Sequence, residues 1–72
     1  MIWTPHATVA TIVEKDGKFL FVDEMADGQR VLNQPAGHVD EREPILQAAL
    51  RETLEETGWE VEITHLVGIY TY

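Results

Sequence analysis

The sequence contains no cysteine, so neither a disulfide framework nor a thiolate-ligated zinc site can be built from it. Basic residues are scarce: five Lys and Arg stand against thirteen Asp and Glu, for a formal net charge of −8. Nucleic-acid affinity rests mostly on Lys and Arg neutralising phosphates, so a nucleic acid polymer is not an expected partner. No window approaches the ~18 consecutive apolar residues that mark a membrane-spanning helix, and no charged-then-apolar leader opens the chain. Neither a membrane nor a secretory route is expected, and a reducing cytoplasm is the default setting. Repeats, linkers and low-complexity tracts are lacking as well.

What is present is a chain of 72 residues with an apolar fraction of 44%, globular in composition and at most one domain. A chain of about 60 residues buries only ~60% of its unfolded surface, so its stability is marginal. The surplus of carboxylates has two readings. It keeps a small protein soluble, or it holds a hard cation such as Mg²⁺ or Mn²⁺, which would reverse the local field for a phosphorylated substrate.

Residues 6–14, HATVATIVE, are rich in Ala, Val, Ile and Thr and predict a strand. Asp16-Gly17 is a hairpin-turn signal. Residues 18–24, KFLFVDE, predict a second strand, and their lack of alternation asks for cover on both faces. Asp27-Gly28 marks another turn, and residues 31–34 form a short segment stopped by Pro35. The stretch PAGHVDERE shows no periodicity and reads as a loop. Beyond Gly58, Val61, Ile63 and the run LVGIYTY predict one or two further strands, and the apolar, abrupt ending suggests part of a domain.

Pro44 to Thr57 turns helical, with Pro44 suited to the first turn and Gly58 to the position just past the end. Leu46, Leu50 and Leu54 predict one apolar stripe, joined by Thr53 and Thr57. Glu52, Glu55 and Glu56 fall within a narrow arc on the other side, with Ala48 and Ala49 one turn earlier, small enough for a neighbouring backbone to approach. Three carboxylates in the last turns oppose the helix dipole, and Glu52 and Glu56 repel each other across one turn. A divalent cation bound among them would relieve both costs. A solvated acidic face is the plainer alternative for three glutamates taken alone.

From Gly37 the chain runs GHVDEREPILQAALRETLEETGW. Gly37, Glu43, Arg51, Glu52, Glu55, Glu56 and Gly58 match the Nudix box, with Trp59 in its closing apolar place and Thr53 standing where an apolar residue is usual. At roughly one in fourteen per position, seven such matches arise by chance on the order of 10⁻⁸ per register. The chain therefore resembles the Nudix hydrolases (MutT-like). PHATVA, EKDGKFLFV and LNQPAGHV extend the likeness toward the NudJ branch, with Leu32 departing from the tryptophan expected there. An EF-hand is excluded, because DEREP lacks its ligand spacing.

The resemblance implies an α/β (α+β) fold, a Nudix-type mixed β-sheet packed between helices. It also implies that residues 1–72 are the N-terminal portion of one domain whose box spans 37–59, so the fold is incomplete here. The implied activity is Mg²⁺-dependent (Mn²⁺ possible) hydrolysis of nucleoside tri- or diphosphates, or related pyrophosphates, by water attack at phosphorus. Its implied metal ligands are Glu52, Glu55, Glu56 and the Ala36 carbonyl. Those three glutamates, with Arg51 orienting the cluster through carboxylates such as Glu43, form the implied catalytic set. The expected site thus spans six residues of this chain: Ala36, Glu43, Arg51, Glu52, Glu55 and Glu56.

His38 and Arg30 are weaker candidates for contacting substrate phosphate; a structural hydrogen bond for His38 and a solvated charge for Arg30 and Lys18 are the plainer readings. His6 and His65 are expected in strands, as satisfied or surface histidines. Trp3, Trp59 and Phe19 are expected to fill core or rim. The alternative to an enzyme is a catalytically inactive fragment that binds metal, or completes its sheet with a second copy or a complementary fragment through exposed edges.

Overall fold

The computed structural model describes residues 6–70. Trp3 and the closing Thr71 and Tyr72 lie outside the described residues. Among the described residues, six short strands precede one helix in the order β1 (Thr8–Ala10), β2 (Glu14–Lys15), β3 (Lys18–Phe19), β4 (Val22–Ala26), β5 (Gln29–Asn33), β6 (Ala36–His38) and α1 (Ile45–Thr57). The expected mixture of helix and strand is present. Among the described residues the strands pair as three antiparallel two-stranded ladders: β1 with β6, β2 with β3, and β4 with β5.

Both turn signals make hairpins. Asp16 and Gly17 have φ of 53° and 76°, and Asp27 and Gly28 have 50° and 76°. Two consecutive positive φ values match the twist of the flanking strands, which is why Asp-Gly serves so well there. Each expected strand is shorter than its apolar run. The run from residue 6 to 14 divides into β1 and β2, leaving His6 ahead of the ladder, and the run from 18 to 24 divides into β3 and the start of β4. Phe19 and Phe21 are each about half exposed, so the two-sided cover expected for that run is missing.

PAGHVDERE is not all loop. Its residues Ala36–His38 form β6, in register Thr8↔His38, Val9↔Gly37 and Ala10↔Ala36. Three residues are too few to show a period of two, so the strand is invisible until its partner is known. The backbone N–H of Thr11 bonds Pro35 O at 2.9 Å and that of Val39 bonds Ala7 O at 2.9 Å. Hydrogen-bonded pairs alternate along an antiparallel ladder, which makes Val9↔Gly37 bonded and Ala10↔Ala36 non-bonded. The N–H and C=O of Ala36 and of His38 therefore point away from β1, along the edge of β6 that pairs with no strand among the described residues.

Helix α1 packs on β6 and β1. Pro44 precedes it with φ −61° and ψ 143°, and Gly58 closes it in the left-handed region at φ 77°, its N–H returning to Leu54 O at 2.8 Å. The buried helix residues are Ala48, Ala49 and Thr53, not the leucines; Leu46 and Leu54 are 60% and 45% exposed. Small side chains let α1 sit close on the ladder, and that closeness turns the leucine stripe sideways to solvent. Downstream of Gly58 no strand forms among the described residues, so His65 is not in one either. Val61 and Ile63 are half-buried and alternate with exposed Glu62 and Thr64, a strand-like pattern with no neighbouring backbone to pair.

Thr53, standing where an apolar residue is usual, has a polar role. It is fully buried, and its hydroxyl donates to Ala49 O at 2.8 Å. A hydroxyl has one proton, so the 2.7 Å contact with Thr11 Oγ1 is donated by Thr11. Thr53 is thus a polar clasp between α1 and the end of β1 rather than a poorer apolar filler. Thr53→Val is expected to lower stability by about 1 kcal/mol, because the Thr11 hydroxyl loses its short bond and keeps only the long one to Pro35 O at 3.5 Å. Thr11→Val/Thr53→Val together should cost less than the two single changes summed, as read by urea unfolding.

Candidate functional site

The site grows from the contact between α1 and β6. At ~100° per residue, Ala49, Glu52, Thr53 and Glu56 share the helix side that faces the ladder, with alanine in the first turns and glutamate in the last. A Cβ on Gly37 would collide with the Glu52 carboxylate. Only glycine leaves that space, and Glu52 folds into it over the β6 backbone. One turn on, Glu56 accepts a long bond of 3.4 Å from the Ala36 N–H. The Ala36 carbonyl lies on the same edge of β6 as that N–H.

Arg51 joins the pieces. Its Nε and one terminal nitrogen donate to the two oxygens of Glu43 at 2.7 and 2.9 Å. The other terminal nitrogen donates to Glu52 at 2.7 Å and to Glu55 at 3.3 Å. The first also reaches His38 O at 3.0 Å, with Asp40 3.5 Å away. All five guanidinium donors are used within the chain, leaving none for a substrate. Arg51 ties the β6 backbone, Glu43, Glu52 and Glu55 together, and it answers much of the repulsion between the helix glutamates it touches.

Glu43 is in turn held by the Asp40 N–H at 3.0 Å. The Arg51 side-chain bonds and then that backbone bond hold its carboxyl down at about 2, from an ordinary 4.5. The same pairing, with Glu43 first and Glu52 second, raises the pKa of Arg51 above its ordinary range.

Glycine at 37, the Arg51–Glu43 fork and the Glu52–Glu56 face all converge on one strand-helix junction, and a NUDIX domain model matches residues 3–72. The chain belongs to the Nudix family. Phosphatase NudJ from Escherichia coli strain K12, E. coli O157:H7 and Shigella flexneri is in each case 41% identical over 71 residues, covering 99% of this chain and 46% of the relative. The chain therefore spans about half the length of those curated relatives.

Nudix hydrolases generally use divalent metals, and the donors here can be tested against one. Glu52, Glu55, Glu56 and the Ala36 carbonyl are all hard oxygen donors, the kind Mg²⁺ and Mn²⁺ take. Glu52 lies in the cradle that Gly37 leaves open, beside the outward edge of β6. Among the described residues, no three His, Asp or Glu side chains are close enough to form a preassembled metal cluster. The donor chemistry fits, and Glu55 and Glu56 are both exposed.

The remaining candidates lie elsewhere. Arg30 forks onto Asp23 across the β4–β5 hairpin, diagonal to its ladder partner Met25. That pairing lowers the pKa of Asp23 and raises that of Arg30. Trp59 is 46% exposed, with the Lys15 ammonium 5.2 Å from its ring centre. Thr11 and the strand character of Ala36–His38 are the contributions that sequence reasoning missed; neither has a spacing that would reveal it.

Because the Glu43 pKa is depressed on folding, its contribution is full above about pH 4.5 and lost as pH falls toward about 2. Glu43→Gln should flatten the acid limb of the unfolding midpoint across that window. Gly37→Ala should displace Glu52 and weaken Mn²⁺ binding about tenfold, with helix content by circular dichroism unchanged.

Proposed function

We propose that this chain is the N-terminal portion of one Nudix hydrolase domain, with its box at residues 37–59. The reaction we assign is hydrolysis of a phosphoanhydride bond in a nucleoside tri- or diphosphate or a related pyrophosphate. Release of phosphate is favoured by the likeness to proteins named phosphatase NudJ. The observation that carries the reading is the Glu52 carboxylate seated over Gly37 while Arg51 bridges it to Glu43.

Glu52, Glu55, Glu56 and the Ala36 carbonyl would hold Mg²⁺ or Mn²⁺. When bound, such an ion neutralises charge on phosphate oxygens and lowers the pKa of a coordinated water. The chain's own part is geometric. Arg51 and Glu43 hold Glu52 against the β6 edge, fixing one carboxylate for proton acceptance from water. Glu55 and Glu56 stay exposed and able to turn toward the same edge. His38 and Arg30 are proposed substrate contacts, Arg30 only if its bond to Asp23 opens. The setting we assign is cytoplasmic, and no helix among the described residues is long and apolar enough to cross a membrane.

A second reading is favoured by the exposure of Leu46, Leu66, Val67 and Ile69, each 60% or more. On that reading the 72-residue chain binds metal without turnover, or pairs with a second copy or a complementary fragment. Glu56→Gln separates the two. In the hydrolase reading it lowers Mg²⁺-dependent phosphate release at least 100-fold while circular dichroism is unchanged. Native mass spectrometry with bound Mn²⁺ but no phosphate release by the unaltered chain supports the second.

A further inference from the structure

Ladder β1–β6 has two faces. Val9 and Gly37 point toward α1, and both are half-buried. Alternation sends Thr8 and His38 to the other face, together with His6 two residues before Thr8. Thr8↔His38 is a non-hydrogen-bonded pair, the kind whose side chains stand closest. Thr8 Oγ1 lies 3.5 Å from His38 Nδ1, and the His6 and His38 rings meet edge to face with centroids 6.5 Å apart. Beside them is a concave space of about 520 Å³, lined by His6, Ala7, His38 and Val39. None of the box carboxylates lines it.

The ring separation bears on the ligand. Two imidazoles on one tetrahedral Zn²⁺, with Zn–N of ~2.0–2.1 Å, would bring their centroids to roughly 5 Å. The observed 6.5 Å would have to close by rotation of the two exposed rings. Two N–H donors of ~2.8 Å to different oxygens of one phosphate place ring centres about 6–8 Å apart. In the tautomer whose Nδ1 accepts from the Thr8 hydroxyl at 3.5 Å, Nε2–H of His38 would be free to donate.

We propose that His6 and His38, with Thr8 setting the His38 ring, form a phosphate-binding subsite on the face of the β1–β6 ladder opposite α1. The backbone ties it to the box, because His38 O accepts from Arg51 at 3.0 Å. A substrate whose scissile anhydride sits at the β6 edge could thus lay another phosphate on this face. That last step rests on the hydrolase reading; binding of phosphate itself does not. The nearest opposing charges are Asp40, which is exposed and shared with Arg51, and the chain's net charge of −8.

The test is a metal-free titration of the 72-residue chain with inorganic phosphate and pyrophosphate at constant ionic strength, read on histidine ring C–H resonances. His6 and His38 should move together on one saturable curve, while His65, bonded to Thr64, stays still. His6→Asn and His38→Gln should each weaken binding at least tenfold, with backbone amide shifts in β1 and β6 retained. Equal drift of all three histidines, or curves unaffected by either substitution, overturns the proposal. So does saturation of the pair by micromolar Zn²⁺ with no response to phosphate. Loss of the hydrolase reading would be seen in turnover assays alone and leaves this metal-free result standing.

Discussion

One guanidinium holds the site together. Arg51 spends its five donors on the loop that precedes the helix, the strand beneath it and two glutamates on its own helix. Bidentate pairing with Glu43 fixes the plane of the group, and the rest of its contacts follow from that plane. Without it, Glu52 and Glu55 in the last turns of α1 would stand unpaired against the helix dipole. With it, Glu52 is drawn down onto β6 and the loop from Asp40 to Glu43 is tied to the helix start.

The second constraint is the closeness of helix and ladder. It rests on alanine at 48 and 49 and a polar clasp where Thr11 meets Thr53, while glycine at 37 leaves room for the Glu52 carboxylate. These are small-residue contacts, and they bury little apolar area. A short chain assembled this way derives much of its order from satisfied polar groups, and no buried side-chain polar atom is left unpartnered among the described residues. The hydrophobic surface that could stabilise it further, including Leu46 and Leu54, faces outward.

Much of this was legible beforehand. The helix limits and both Asp-Gly turns agree with expectation, because each rests on local chemistry: a proline before the helix, a left-handed glycine after it, positive φ at two successive turn residues. The pairing of Arg51 with Glu43, which the Nudix resemblance implied, is present as well. The readings that failed depended on partners. The leucine stripe satisfied helical periodicity yet is not the buried face. The segment 58–70 has strand-like residues and forms no strand. Ala36–His38 lacks a readable pattern and is a strand. In each case the deciding contact came from a residue more than twelve positions away or from none at all.

By itself, the sequence determined where the helix begins and ends, where the chain reverses, and which oxygen donors are carried at fixed spacing; each is set by interactions within a few residues. Only the tertiary structure decided which helix face meets the ladder, which carbonyls of β6 turn outward, and that Thr53 is clasped by Thr11. Backbone pairing and burial are properties of two segments at once. Their free energy exists only when both are in place, so no single stretch of sequence contains it.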